Sequence, residues 1–171
     1  MTRIDQTCLE TEWMTPESIL APVRQYFGGG IPLDPATTEN NPTKALKFFT
    51  AEEDGLQQTW TADAFVNPPY GKIIREWCRK IDEEAQRGLS IIALLPCGSG
   101  RPGTRYWQDH ILTCHLKTIC YVRGRVAFLK PDGTPVANNT YPSHLLGFNV
   151  DRARFRECFG HLGKVLWVAV A

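Results

Sequence analysis

Residues 89–96, LSIIALLP, restrict the possible fold of this chain more than any other segment. The run is apolar apart from Ser90, and its length suits a β-strand. The preceding segment is predicted to be a helix that ends at Gly88. Its apolar residues recur at helical spacing, namely Ile74, Trp77, Cys78, Ile81 and Ala85. A strand that is apolar on both faces is typical of a parallel sheet covered by helices. The segment therefore predicts an α/β domain.

The rest of the chain repeats this alternation. A helix is predicted to start at Thr15-Pro16, where Thr15 can cap free amides, and to end at residues 28–30. A short strand ends on Asp34-Pro35, and a helix is predicted at residues 104–112. Further strands are predicted at residues 46–49, 64–66, 117–122, 126–129, 145–150 and 165–170, with a turn at residues 131–134. This order indicates a three-layer, Rossmann-like α/β domain with a mostly parallel sheet and an antiparallel edge.

Charge is distributed unevenly along the chain. The net charge is +1, but residues 1–60 carry −5 and residues 101–171 carry +6. A basic segment can neutralise phosphates, whereas an acidic one suits a ligand with an amine or a sulfonium. Two solvated faces that balance each other remain the alternative.

Several classes of protein are not expected. With 43% hydrophobic residues, the composition is that of a globular protein, and no run approaches the ~18 apolar residues of a membrane span. The N-terminus lacks the apolar stretch of a signal peptide, so we expect a cytoplasmic protein. The six cysteines have irregular spacings and are interpreted as free thiols, and no metal site is expected.

The loop Asn67-Pro68-Pro69-Tyr70 follows the apolar residues 64–66 and is the strongest functional motif. Its prolines restrict the backbone before any ligand binds, and they supply no N–H donor. The Asn67 side-chain oxygen and the Pro68 carbonyl can accept hydrogen bonds from an NH₂ group, while Tyr70 can stack on the ring that carries it. The alternative is a plain turn in which Tyr70 only packs.

A conjugated exocyclic amine is a poor nucleophile because its lone pair is delocalised into the ring. Two acceptors on the NH₂ hydrogens favour a pyramidal nitrogen, which could then attack an electrophilic methyl group through positioning and electrostatics. A base inside a duplex cannot reach such a loop, so a DNA enzyme would have to flip the base out.

The sequence resembles the amino-methyltransferases that use S-adenosylmethionine, and more narrowly the phage-type DNA N-6-adenine methyltransferases, the phage Dam family. The resemblance covers residues 13 to about 150. It is carried by Trp13-Met14-Thr15-Pro16, Leu33-Asp34-Pro35-Ala36, Asp54-Gly55-Leu56 with Trp60, Asn67-Pro68-Pro69-Tyr70-Gly71, Leu94-Leu95-Pro96, Thr104 with Trp107, and Gly124-Arg125-Val126-Ala127-Phe128.

The resemblance implies S-adenosylmethionine as cofactor and double-stranded DNA as partner. Asp34 would accept from the ammonium group of the cofactor, and Asp54 would lie near its adenine. The implied sites are, for the cofactor, Trp13, Thr15, Pro16, Asp34, Pro35, Ala36, Asp54 and Asn67; for the target base, Asn67, Pro68, Pro69 and Tyr70; and for DNA phosphates, Arg101, Arg105, Arg123 and Arg125. The alternatives are a turn cap for Asp34, an Asx-turn for Asp54, and solvated charges for Arg123 and Arg125.

The whole chain, residues 1–171, would then be one methyltransferase domain, with residues 1–12 as an N-terminal extension and residues 98–104 and 131–141 as DNA-recognition loops. The glycine-rich turn usual after the first strand is replaced by residues 36–41. Three alternatives stay open: methylation of cytosine N4, methylation of a protein glutamine, and a DNA-binding or protein-binding module without activity. The oligomeric state and the recognised DNA sequence also stay open.

Overall fold

The computed structural model describes residues 13–97, 103–136 and 142–169. Within these ranges the helices are α1 (Glu17–Tyr26), α2 (Ile74–Gln86), α3 (Arg105–His110) and α4 (Arg152–Phe159). The strands are β1 (Ile31–Asp34), β2 (Ala45–Phe48), β3 (Ala64–Val66), β4 (Ile91–Pro96), β5 (Leu116–Val122), β6 (Ser143–Phe148) and β7 (Gly163–Trp167). All the predicted helices and strands are confirmed except the strand at residues 126–129.

The strands form one sheet in the order β2-β1-β3-β4-β6-β5-β7. β1 pairs in parallel with β2 and with β3, and β3 pairs in parallel with β4. β6 runs antiparallel to both β4 and β5, and β7 runs antiparallel to β5. The predicted sheet, mostly parallel with antiparallel strands toward one edge, is confirmed.

Helices cover both faces of the sheet and make the domain three-layered. α2 packs beside α3 on one face, and α1 packs beside α4 on the other. Successive residues of β4 alternate between the two cores: Ile91 and Ala93 belong to the α2 side, whereas Ile92 and Leu94 belong to the α1 side. Every residue of β4 is buried, which is why its sequence is apolar on both faces.

The predicted strand at residues 126–129 is wrong. This segment makes only isolated bridges, Leu129 with Met14 and Leu129 with Pro135. Pro135 has no N–H to donate, and the Phe128 N–H bonds back to the Val126 carbonyl at 3.0 Å, so no regular ladder can extend. The turn predicted at residues 131–134 is present, and it returns the chain so that the Val136 N–H donates to the Phe128 carbonyl.

Helix α4 was not predicted from the sequence. Asp151 caps it by accepting a hydrogen bond of 2.7 Å from the Arg154 N–H, and Phe155, Cys158 and Phe159 form its buried stripe. The stripe is short and surrounded by charged residues, so the helical period is weak. In the part of the chain that the structure describes, no helix has the length and hydrophobicity needed to cross a bilayer.

Candidate active site

The carboxyl ends of β1 and β3 meet at the same edge of the sheet. The two strands are parallel neighbours, with Leu33 opposite Ala64, so Asp34 and the loop after β3 emerge side by side. A cavity of about 570 Å³ lies at this edge. It brings together most of the residues that the sequence predicted for the base and the cofactor, namely Trp13, Thr15, Asp34, Pro35, Ala36, Asp54, Asn67, Pro68, Pro69 and Tyr70. Pro16 is buried beside this set but does not line the cavity.

Asp34 lines the cavity and has only 2% of its surface exposed. One carboxylate oxygen accepts from the Ala36 N–H at 3.1 Å, and the other accepts from the Thr43 hydroxyl at 2.8 Å. Burial raises the pKa of Asp34 to about 6 despite the hydrogen bonds from Thr43, Ala36 and Thr37, which lower it. No basic side chain of the described residues forms an ion pair with it. Asp34 therefore does cap the turn at Ala36, which was the alternative to cofactor binding. Its carboxylate nevertheless has no cationic partner among the described residues.

Asn67 is held by its side-chain nitrogen. The Nδ2 atom donates to the Trp13 carbonyl at 3.3 Å and to the Thr15 hydroxyl oxygen at 3.2 Å. The Oδ1 atom is buried, and among the described residues no donor reaches it. The prediction that the Thr15 side chain caps α1 is therefore wrong. The cap position is Pro16, and the Thr15 hydroxyl contacts Asn67 instead.

Three aromatic rings stand together at the same cavity. The ring centroids of Trp13 and Tyr70 are 6.4 Å apart, those of Tyr70 and Phe128 are 6.2 Å apart, and those of Trp13 and Phe128 are 5.6 Å apart. The Tyr70 contacts are edge-on, which is a favoured geometry for aromatic pairs. These rings form an apolar wall next to the half-buried Asn67 side chain.

The loop at Asp54 also lines the cavity. Asp54 has a positive φ of 53° and accepts a hydrogen bond of 3.2 Å from the Leu56 N–H, so the predicted Asx-turn alternative is present. Gly55 packs directly on the β1 loop: a Cβ atom there would lie 1.9 Å from the Pro35 carbonyl oxygen. The Trp60 indole N–H donates to the Gly55 carbonyl at 3.0 Å and holds this loop against β1.

Sequence reasoning missed several residues of the cavity. Thr43, Gly55, Trp77 and Phe128 all line it, and no role was assigned to them from the sequence. The Asp54-Gly55 dipeptide was a usable turn signal, but Thr43 lies in a polar segment without any pattern. Trp77 was identified only as part of a helical stripe, yet its indole N–H is buried with no acceptor among the described residues.

Of the predicted DNA-contacting arginines, Arg105, Arg123 and Arg125 do not line the cavity. Arg123 and Arg125 are exposed on either side of Gly124, which has a φ of 74°. Arg105 is exposed on α3 and pairs with Asp109 at 3.3 Å. Arg101 lies outside the described residues.

The family model for DNA N-6-adenine-methyltransferase (Dam) matches residues 6–154. No match was found among curated proteins. The match covers β1, β3, the Asn67–Tyr70 loop and every residue that lines the cavity. The chain therefore belongs to the Dam family of DNA N-6-adenine-methyltransferases.

Proposed function

We propose that this protein transfers a methyl group from S-adenosylmethionine to the N6 amine of an adenine that is flipped out of double-stranded DNA. One observation carries the proposal beyond the family: Asn67, which lines the cavity beside three aromatic rings, has a buried side-chain oxygen that no donor of the described residues reaches. An orphaned acceptor in such a place is costly unless a ligand supplies the donor. An exocyclic amine on a planar base would supply it.

The residues around Asp34 suit S-adenosylmethionine. When bound, this cofactor supplies an electrophilic methyl group on a positively charged sulfur. Its ammonium group would find a buried carboxylate that has no cationic partner among the described residues. Trp13, Thr15 and Pro16 would lie near the methionine end, with Pro35 and Ala36 beside Asp34. Asp54 would lie near the adenine end, where the Asp54–Gly55 turn lines the cavity.

The Asn67-Pro68-Pro69-Tyr70 loop would hold the target base. Asn67 Oδ1 and the Pro68 carbonyl would accept the two hydrogens of the amine and favour a pyramidal nitrogen, so that its lone pair points at the methyl group. Pro69 would keep the loop rigid, and Tyr70 would stack on the base. The loop would act by positioning, without a covalent intermediate. Because a stacked and paired base cannot enter the cavity, the adenine must leave the duplex.

Basic residues outside the cavity would hold the DNA backbone. Arg105, Arg123 and Arg125 are exposed, as phosphate contacts require, and we include Arg101 in the same role. Residues 98–104 and 131–141 would contact the bases around the target; residues 98–102 and 137–141 lie outside the described ranges. With DNA as its substrate, the protein would act in the cytoplasm. If a phage encodes the protein, this would be the cytoplasm of the bacterial host.

The test is to incubate the protein with unmethylated plasmid and methyl-labelled S-adenosylmethionine, and to identify the labelled nucleoside after digestion. We expect N6-methyladenine from the wild type and from Asn40→Ala, which changes an exposed asparagine. Asn67→Ala should abolish turnover while DNA binding persists, because it removes the acceptor without touching the surface arginines. Full activity of Asn67→Ala would show that the assigned role is wrong.

The same experiment separates the alternatives. Labelled N4-methylcytosine would keep the chemistry and change the base. Absence of any labelled nucleoside, together with label on a glutamine in a parallel reaction with added protein, would favour a protein substrate. Absence of transfer together with absence of cofactor binding in calorimetry would favour a DNA-binding module without activity.

A further inference from the structure

The segment Trp13–Thr15, proposed above to lie near the methionine end of the cofactor, also contacts the proposed catalytic amide, through the Trp13 carbonyl and the Thr15 hydroxyl. We propose that the Trp13 carbonyl and the Thr15 hydroxyl are positioning groups, which set the orientation of the Asn67 amide so that only its oxygen can face the target amine. This inference rests on the proposed function, because it assigns how the acceptor for that amine is kept in place.

The chemistry of the contacts gives the amide one preferred orientation. A carbonyl oxygen can only accept, so the atom 3.3 Å from the Trp13 oxygen has to be the NH₂ nitrogen of Asn67. The second hydrogen of the NH₂ group is directed to the Thr15 hydroxyl oxygen at 3.2 Å. A rotated amide would lose the hydrogen bond to the Trp13 carbonyl and would place two oxygen atoms against each other. It would also turn the NH₂ group toward a substrate that itself offers only hydrogens. The Thr15 hydroxyl can donate as well as accept, so it holds the NH₂ group but the Trp13 carbonyl is what makes the rotated orientation unfavourable.

The surroundings keep this segment in place. Met14 exchanges two backbone hydrogen bonds with Leu129, of 2.7 and 3.0 Å, and the Trp13 ring packs on Phe128 at 5.6 Å. Thr15 is 7% exposed, so its hydroxyl has little access to water. A threonine just before a helix usually caps the helix, but α1 has no side-chain cap and the hydroxyl contacts Asn67 instead.

The contacts also distinguish asparagine from aspartate at position 67. A carboxylate has two acceptor oxygens and no donor, so one oxygen would lie about 3.3 Å from the Trp13 carbonyl oxygen. We therefore expect Asn67→Asp to lose at least about tenfold in kcat. An Asn67→Asp variant with wild-type kcat would overturn the role of the Trp13 carbonyl.

The main test compares Thr15→Val, which keeps the shape and removes the hydroxyl, with Thr15→Ser, which keeps the hydroxyl. At saturating DNA and cofactor, we expect Thr15→Val to lower kcat about tenfold, because one of the two hydrogen bonds is lost. Thr15→Ser should stay within about threefold of the wild type. If Thr15→Val raised only the KM for the cofactor and kept kcat, Thr15 would merely contact the cofactor, and the proposal would be overturned.

A second measurement needs neither cofactor nor DNA. In the NMR spectrum of the free protein, the side-chain NH₂ protons of Asn67 should exchange with water more slowly than those of exposed Asn40. In Thr15→Val, the exchange of the Asn67 protons should become faster. Exchange as fast as at Asn40 in the wild type would overturn the proposal even if the enzyme is active. Slow exchange in a protein that transfers no methyl group would retain the amide orientation and refute the proposed function.

Discussion

Replacing Asp34 by asparagine is expected to make the free protein more stable and, at the same time, to remove its response to S-adenosylmethionine. Asp34 is 2% exposed, and burial raises its pKa from 3.8 to about 6. This rise corresponds to about 3 kcal/mol, since one pKa unit is worth about 1.36 kcal/mol. Above pH 6 the folded protein carries this cost as a buried charge, and a neutral amide would not. Asparagine can keep the contacts with Ala36 and Thr43, because its oxygen can accept from the Ala36 N–H and the Thr43 hydroxyl can accept from its NH₂ group.

The sign of the pH dependence follows from the same pKa. The folded state holds the Asp34 proton more tightly than the unfolded chain does, because the folded-state pKa is the higher one. The free energy of unfolding should therefore fall as the pH rises from about 4 to about 6. Below about pH 4 and above about pH 6, the contribution of Asp34 to this free energy should not change with pH. In Asp34→Asn this decrease should be absent. At neutral pH the variant should melt about 6–12 °C higher than the wild type, if the full 3 kcal/mol is recovered.

The cofactor should reduce this difference in melting temperature. An ammonium group beside Asp34 favours the carboxylate, so the affinity for S-adenosylmethionine should fall about tenfold for each pH unit below about 6. Thermal melts between about pH 4 and pH 8, with and without the cofactor, test both statements. We expect the cofactor to raise the melting temperature of the wild type and to leave that of Asp34→Asn unchanged.

Asp54→Asn is the matched control for stability. Asp54 is exposed, and asparagine keeps the oxygen that accepts from the Leu56 N–H, so its melting temperature in the absence of cofactor should equal that of the wild type. A lower melting temperature of Asp34→Asn at neutral pH would refute the assignment of Asp34 as a costly buried charge. Equal cofactor affinity of Asp34→Asn and the wild type would refute the ammonium contact.

Other parts of the molecule give further predictions. Gly55→Ala would put a Cβ atom 1.9 Å from a backbone carbonyl oxygen of the β1 loop, so we expect a loss of about 1–3 kcal/mol in urea unfolding and weaker cofactor binding in calorimetry; wild-type values for both would contradict the close packing. Trp60→Phe removes the indole donor to the Gly55 carbonyl, and chemical denaturation should show a loss of about 1 kcal/mol. If Arg123 and Arg125 contact phosphates, changing both to glutamine should make the negative slope of log affinity for DNA against log salt shallower by about 1.8. Arg156→Gln on α4 should leave this slope unchanged.

Most of the fold could be predicted because its signals are local. Residues 89–96 are apolar on both faces and became the buried strand β4, and the apolar stripe from Ile74 to Ala85 became α2. The two errors have the same origin. Residues 126–129 have the composition of a strand, but only Leu129 forms bridges, one with Met14 and one with Pro135. Helix α4 was missed because it buries only three side chains. Propensity is decided by neighbours in sequence, whereas pairing and burial are decided by neighbours in space.

Part of the site was also visible in the sequence. Asp34 and the Asn67–Tyr70 loop each follow a short apolar strand, and strands joined by helices place their carboxyl ends along one edge of a sheet. That reasoning correctly predicted that both lie at strand ends. It could not show that β1 and β3 are direct neighbours, because strand order depends on the whole chain.

The sequence by itself determined the chemical groups of this protein: a carboxylate and an amide after buried strands, a rigid proline loop, and an adjacent aromatic ring. Only the tertiary structure decided how these groups are oriented and what surrounds them. The partners of the Asn67 NH₂ group lie 52 and 54 positions away along the chain, and the hydroxyl on Asp34 comes from the otherwise featureless Thr43. Hydrogen bonds and burial depend on distances in space, so contacts between residues so far apart in sequence leave no local pattern to be read.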